Sequence, residues 1–162
     1  MTMADVIVIL RDGTIEQIGG PMDVYNRPAN LFVAEFIGSP GINLVRGEVA
    51  AENGGPVLRA EGIALPLPPA AKLAAGHKVV YGIRPEHLVP SPSGSGIAAK
   101  VIVVEPTGPE MHIYTEIAGT EVCAVSRDHL DYRPDQDIRL SPMLDQVHLF
   151  DQDSGKAIGR SA

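Results

Sequence analysis

Ala98-Ala99-Lys100-Val101-Ile102-Val103-Val104-Glu105-Pro106-Thr107-Gly108-Pro109-Glu110-Met111-His112-Ile113-Tyr114-Thr115-Glu116-Ile117-Ala118-Gly119-Thr120-Glu121-Val122-Cys123-Ala124-Val125 decides the fold. Residues 98–105, 112–117 and 121–125 are short and rich in Val, Ile and Thr, and Thr107-Gly108-Pro109 and Ala118-Gly119-Thr120 separate them with turn chemistry. The same texture extends in both directions. Residues 43–49, 57–67 and 78–83 read as strands on the N-terminal side, and 138–140 and 147–150 on the C-terminal side. Asn53-Gly54-Gly55-Pro56 and residues 91–96 supply further turns. No stretch after Pro40 sustains helical periodicity beyond about two turns. Many short strands at this spacing predict an all-β barrel or sandwich. Leu65-Pro66-Leu67-Pro68-Pro69 is expected at a sheet edge or in a loop, because proline donates no ladder hydrogen bond, with a short helical turn over residues 70–75.

The segment before Pro40 reads differently. Val6-Ile7-Val8-Ile9-Leu10 is a run of apolar, mostly β-branched residues and predicts a strand buried on both faces. Asp12-Gly13 turns it into a second strand over 14–18, which Gly19-Gly20 ends. Pro21 suits the first position of a helix, with Asp23 in its first turn. That helix must stop near Asn26, because Arg27 precedes Pro28. A second helix runs from a cap at Asn30 to Ile37, pairing Phe32 with Phe36 and Val33 with Ile37. Gly38 and Pro40 end it. The opening strand needs neighbours on both faces, so the expectation is that this segment packs in a larger body and that its bare faces find a substitute, most simply a second copy of the chain.

Composition removes several function classes. Among 162 residues, 13 are Lys or Arg and 20 are Asp or Glu, a net charge of −7 that disfavours nucleic acid and anionic membranes as partners. Aromatics are only 4% and tryptophan is absent, so a stacking platform for single strands is not expected. No apolar stretch approaches the roughly 20 residues that cross a bilayer, and no secretory leader pattern is visible. The single cysteine, Cys123, reads as a small buried hydrophobe in a strand and fits a reducing compartment.

Six stretches of the sequence together resemble one family. Residues 3–19 are similar to the segment after the switch histidine of ABC-transporter ATPases. Residues 21–30 and 32–40 resemble the end of that ATPase domain in the maltose and glycerol-3-phosphate type importers. Gly82-Ile83-Arg84-Pro85-Glu86-His87-Leu88 resembles the hallmark heptad of their C-terminal transport-associated OB (TOBE) domain, and Val103-Val104-Glu105-Pro106-Thr107-Gly108 and His148-Leu149-Phe150-Asp151 complete the likeness. The sequence departs from the family's usual pattern at Ile42 and Leu44, which flank Asn43 where methionine and an aromatic are common.

The resemblance implies residues 1–39 as the C-terminal remnant of the ATPase domain, a hairpin plus two helices. Residues 40–162 are implied as an OB-fold, MOP-like TOBE β-barrel. It further implies a regulatory and dimerisation region, non-catalytic by itself. The implied partners are a second copy in a homodimer, the membrane-embedded permease subunits reached through the parent ATPase domain, and an inhibitory regulatory protein. The location would be cytoplasmic, at the inner face of the membrane. ATP and Mg would belong to the ATPase domain of the parent. The residues agree with that division of labour: Gly155-Lys156 is followed by Ala157, and Phe150 stands where the first glycine of a phosphate loop belongs.

Within the heptad, Arg84 and Glu86 flank Pro85 at a change of chain direction. A guanidinium fork that satisfies backbone carbonyls or a carboxylate explains them without a ligand, and that structural corner is preferred over a ligand or subunit contact. His77, His87, His112, His129 and His148 are too scattered to suggest a metal, and no nucleophile motif is present, so no catalytic, cofactor-binding or metal residue is expected. The charged run over residues 126–135 is expected to be a solvated loop. The alternative function is a small-ligand module sensing an oxyanion or a sugar, for which Ser91-Pro92-Ser93-Gly94-Ser95-Gly96 has a suitable composition.

Overall fold

The computed structural model describes residues 4–52, 55–128 and 130–159. It opens with a hairpin, β1 (Ile7–Arg11) and β2 (Thr14–Gly19), then two short helices, α1 (Pro21–Asn26) and α2 (Leu31–Phe36). Ten strands follow: β3 (Asn43–Glu52), β4 (Gly55–Ala60), β5 (Ile63–Pro66), β6 (Lys78–Ile83), β7 (Leu88–Ser91), β8 (Ile97–Pro106), β9 (Met111–Ile117), β10 (Thr120–Ser126), β11 (Asp137–Pro142) and β12 (His148–Asp151). They form two five-stranded sheets, ordered β12-β6-β3-β4-β5 and β10-β9-β8-β11-β7, with antiparallel pairing throughout. The chain is therefore all-β apart from the two helices, with a curled half-barrel sheet.

Period-two patterning builds the main core. Ile113, Thr115 and Ile117 of β9, Ala99 and Val101 of β8 and Val79, Tyr81 and Ile83 of β6 point inward. With Leu58, Leu65, Ile138 and Leu140 the apolar members of this set form one continuous cluster between the sheets. Register shifts between Val101 and Val103, where a bulge leaves Ile102 and Val103 both exposed.

Three expectations change. The single run over 57–67 is a hairpin: Glu61 and Gly62 take φ of 45° and 86°, a left-handed pair that reverses the chain between β4 and β5. A strand unforeseen in the sequence, β7, follows the heptad directly. The region 70–75 is no helical turn; only a bend closed by Ala71 N–H to the Pro68 carbonyl at 2.9 Å begins it. The proline-rich segment falls at a sheet edge as expected, since β5 is the outermost strand and ends at Pro66. Asn30 caps α2, its Oδ1 accepting from the Val33 N–H at 2.9 Å, and Phe32 stacks on Phe36 with centroids 6.0 Å apart.

The opening strand is a more instructive correction. It is covered on one face only: Ile9, with Ile7 beside it, packs on Val24, Val33 and Ile37. Val8 (50% exposed), Leu10 (56%), Ile18 (56%) and Phe36 (65%) lie open. The strand buried on both faces is β6. Its outward Val80 packs beneath Phe150, Ile42 and Ala34 of α2, a third cluster that seals the N-terminal unit to the barrel.

Candidate functional site

Gly82-Ile83-Arg84-Pro85-Glu86-His87-Leu88 is the crossover between the two sheets. Gly82 and Ile83 end β6, Pro85–His87 makes one 3-10 turn closed by His87 N–H to the Arg84 carbonyl at 2.9 Å, and Leu88 opens β7. Proline suits the first turn position, where no donor is needed. Gly82 leaves room for the seam: a Cβ there would stand 3.0 Å from Ile42 and 3.1 Å from Phe150.

Arg84 does not face solvent. It is 1% exposed, and its guanidinium reaches across to the N-terminal unit. Nη1 donates to the carbonyls of Ile37 and, at 3.3 Å, Ala34; Nη2 donates to the Tyr25 carbonyl at 3.0 Å. These are the carbonyls at the ends of α1 and α2 that intrahelical bonding leaves free. The guanidinium also lies 3.9 Å from the centroid of the Tyr25 ring, in cation–π contact. Burial pulls its pKa below the ordinary arginine value, partly offset by Tyr25 and Glu86. Glu86 is exposed, and its carboxylate accepts from the Tyr25 hydroxyl. Burial first, then that carboxylate, push the Tyr25 phenol up to about 12.

The corner is therefore a clasp. Two helix ends are held by one guanidinium, and the ring beneath it is held by the next acidic residue. Gly38 is part of the arrangement: its φ is +117°, and a Cβ would come within 2.8 Å of Arg84 Nη1. A side chain there would displace the guanidinium. Sequence reading found Arg84, Pro85 and Glu86 but missed Tyr25 and Gly38, whose roles depend on the long-range fold. The available signal was that a buried Arg requires several acceptors close by, and helix ends supply them.

Two further contacts join the same units. Asn43, 6% exposed, offers its side-chain amide as a substitute strand: Nδ2 donates to the Cys123 carbonyl and Oδ1 accepts from the Cys123 N–H, both at 2.7 Å. It thereby ties β3 to β10, the edge of the other sheet. Cys123 is buried, which pushes its thiol up to about 11. The C-terminal segment threads between the units: Leu31 N–H donates to the Gly155 carbonyl at 2.9 Å, Ala157 N–H to Ala29 at 3.0 Å and Ile158 N–H to Leu149 at 2.7 Å.

The remaining candidates do not converge. His77 and Asp151 pair at 2.9 Å, His148 stacks on Phe150, and His112 lies opposite Glu105 and Val125 in the sheet. His129 lies outside the described residues. Among the described residues, no three His, Cys, Asp or Glu side chains are grouped to hold a metal. The run 126–135 is only partly solvated, since Tyr132 is 6% exposed and its hydroxyl donates to the Pro90 carbonyl at 3.3 Å. The 91–96 turn borders a cavity of about 410 Å³ shared with Asp137 and Arg139. Asp137 and Arg139 give that lining opposite charges that cancel, so it offers an oxyanion no net positive charge. No helix among the described residues is long and apolar enough to cross a membrane.

Comparison with known proteins agrees with this architecture. The MalK OB fold domain family matches residues 38–88 and the TOBE domain family matches residues 81–150, overlapping on the clasp heptad. The ABC transporter ATP-binding protein y4oS of Sinorhizobium fredii is 49% identical over 158 residues, covering 98% of this chain and 42% of that protein. The sn-glycerol-3-phosphate import ATP-binding protein UgpC 2 of Agrobacterium fabrum is 39% identical over 98% of this chain and 42% of its own length. UgpC of Chromobacterium violaceum is 39% identical over 100% and 44%. The chain thus spans somewhat under half the length of these curated relatives. Among solved structures, the cytoplasmic molybdate-binding protein ModG superposes with a TM-score of 0.51 at 19% identity, over 66% of this chain and 94% of that one, a likeness of fold. The chain therefore carries a MalK OB fold domain and an overlapping TOBE domain and is homologous to the C-terminal part of ABC-transporter ATP-binding proteins.

Proposed function

We propose that the chain is the regulatory and dimer-stabilising region of the ATP-binding subunit of an importer for sugars or glycerol-3-phosphate. In this reading residues 1–39 complete an ATPase domain and residues 40–162 are the regulatory barrel. ATP and Mg are bound by the ATPase domain, and hydrolysis there drives solute uptake through membrane-embedded permease subunits at the cytoplasmic face. The barrel pairs with its copy through an isologous contact and accepts a regulatory protein that biases the motor.

One observation supports this most directly. The N-terminal unit is clasped to the barrel by Arg84, yet presents an open apolar face of Val8, Leu10 and Ile18 on its other side. A unit fixed on one side and bare on the other suits a transmission piece between a motor and a regulator. The 162 residues contain no glycine-rich loop ending in Lys followed by Ser or Thr, so the chain alone is not expected to turn over ATP.

Three measurements test the reading. ATP hydrolysis by the chain should equal the buffer blank, and turnover would remove the non-catalytic assignment. Light scattering at high micromolar concentration should give a dimer, and a strict monomer would remove the pairing. The reading frame upstream of Met1 should encode a phosphate loop; a native start at Met1 with no motor ahead of it would end the proposal.

A further inference from the structure

A cleft of about 830 Å³ lies between the α1–α2 linker and the barrel, beside the C-terminal segment that joins them. Its walls are apolar: Pro28 from the linker, Pro69 and Ala71 from the loop after β5, and Leu144, Val147 and Leu149 leading into β12. That volume is in the range of small-molecule sites, about 300–1,000 Å³. Two cations, Arg27 and Lys72, also line it, one from each side. Among the described residues, neither has a carboxylate within ion-pair distance. On a chain of net charge −7, two such cations at one apolar cleft make a local positive rim. Asp145 lines the cleft as well, and its carboxylate accepts from the Gln146 side chain at 3.0 Å.

We propose that this cleft binds a small monocarboxylate with an apolar body, the chain or ring lying on the proline and leucine walls and the carboxylate between Arg27 and Lys72. Inorganic phosphate would leave the apolar walls unused, and an uncharged hydrocarbon would leave the cations unused. The site stands on the cleft itself and not on the transport reading. Its position gives it a consequence. The occupant touches the linker whose Ala29 carbonyl accepts from Ala157 and whose neighbour Leu31 donates to Gly155. It would stiffen the junction between the N-terminal unit and the barrel.

The test is a titration of the isotopically labelled chain with sodium decanoate below its micelle concentration, followed by amide chemical shifts, with decanol as the uncharged arm. Decanoate should produce saturable shifts at Arg27, Ala29, Ala71 and Val147. Decanol should bind about three- to tenfold more weakly, the scale of two exposed ionic contacts. The double variant Arg27→Gln/Lys72→Gln should bring decanoate down to the decanol level and leave decanol unchanged. Ala71→Trp should block both ligands. Absence of saturable shifts, equal affinity for the two ligands, or shifts centred on Val8, Leu10 and Ile18 of the hairpin would overturn the proposal.

Discussion

The barrel and the N-terminal unit are built from similar residues and differ in what covers them. In the barrel, inward-facing positions on both sheets meet each other, and Leu58, Ile113, Ile138 and Leu140 are 0–2% exposed. In the N-terminal unit only one face of the hairpin is used: Ile9 meets Val24, Val33 and Ile37, while Val8, Leu10 and Ile18 are more than half bare or close to it. Equal hydrophobicity therefore gives unequal stabilisation, because transfer free energy follows the area removed from water. The barrel holds itself together. The hairpin depends on the helices under it, and those depend on the Arg84 clasp and the Ala34–Ile42–Val80–Phe150 seam.

Substitutions sharpen that contrast. Leu58→Ala should cost about 2–5 kcal/mol by leaving a cavity in the closed core. Val8→Ala, a truncation of an exposed side chain, should change stability by no more than about 0.5 kcal/mol. Urea unfolding of both variants measures the difference, and similar losses would break the comparison.

The clasp comes next. Arg84→Ala leaves the carbonyls of Tyr25, Ala34 and Ile37 without their donor and should cost about 3 kcal/mol. The loss should concentrate in the N-terminal unit, seen as faster proteolysis of residues 7–37 with the barrel intact. Uniform destabilisation of both regions would mean that the guanidinium supports the barrel instead.

The smallest effect is electrostatic. His77, then the Ser154 hydroxyl and N–H, hold the Asp151 carboxyl below the usual carboxylate range. A depressed native pKa means that the unfolded chain takes up the proton more readily. The contribution is therefore present above the ordinary carboxylate value, about 3.9, and is lost as pH falls through it toward the depressed one. Asp151→Asn should flatten the acid limb of the stability profile slightly, and an unchanged limb would show that the pair contributes nothing.

How much of this was legible follows from the range of each interaction. Local signals worked: the Pro21 and Asn30 helix starts, the Asp12-Gly13 hairpin and most strands of the barrel are set by neighbours in sequence. The β4–β5 turn was hidden because Glu61-Gly62 sits inside a mostly apolar run and lacks the Asn-Gly or Asp-Gly signature of a tight hairpin. The apolar run at residues 6–10 predicts burial on both faces and is covered on one only; that pattern is realised at β6, since burial of an outer face depends on what the fold lays over it. Arg84 was readable as a corner that satisfies carbonyls. Which carbonyls was not, because Tyr25 and Ile37 are 59 and 47 residues away. Asn43 bridges 80 residues to Cys123, and only the apolar flanks Ile42 and Leu44 marked it as a polar group headed for burial.

Amide hydrogen exchange at low micromolar concentration tests the account most directly. Amides of β3, β6 and β9 should exchange only with global unfolding, and those of β1 and β2 orders of magnitude faster, through local opening of a half-covered unit. Equal protection in the hairpin and the barrel would show that the exposed apolar face needs no further partner, and would contradict the account.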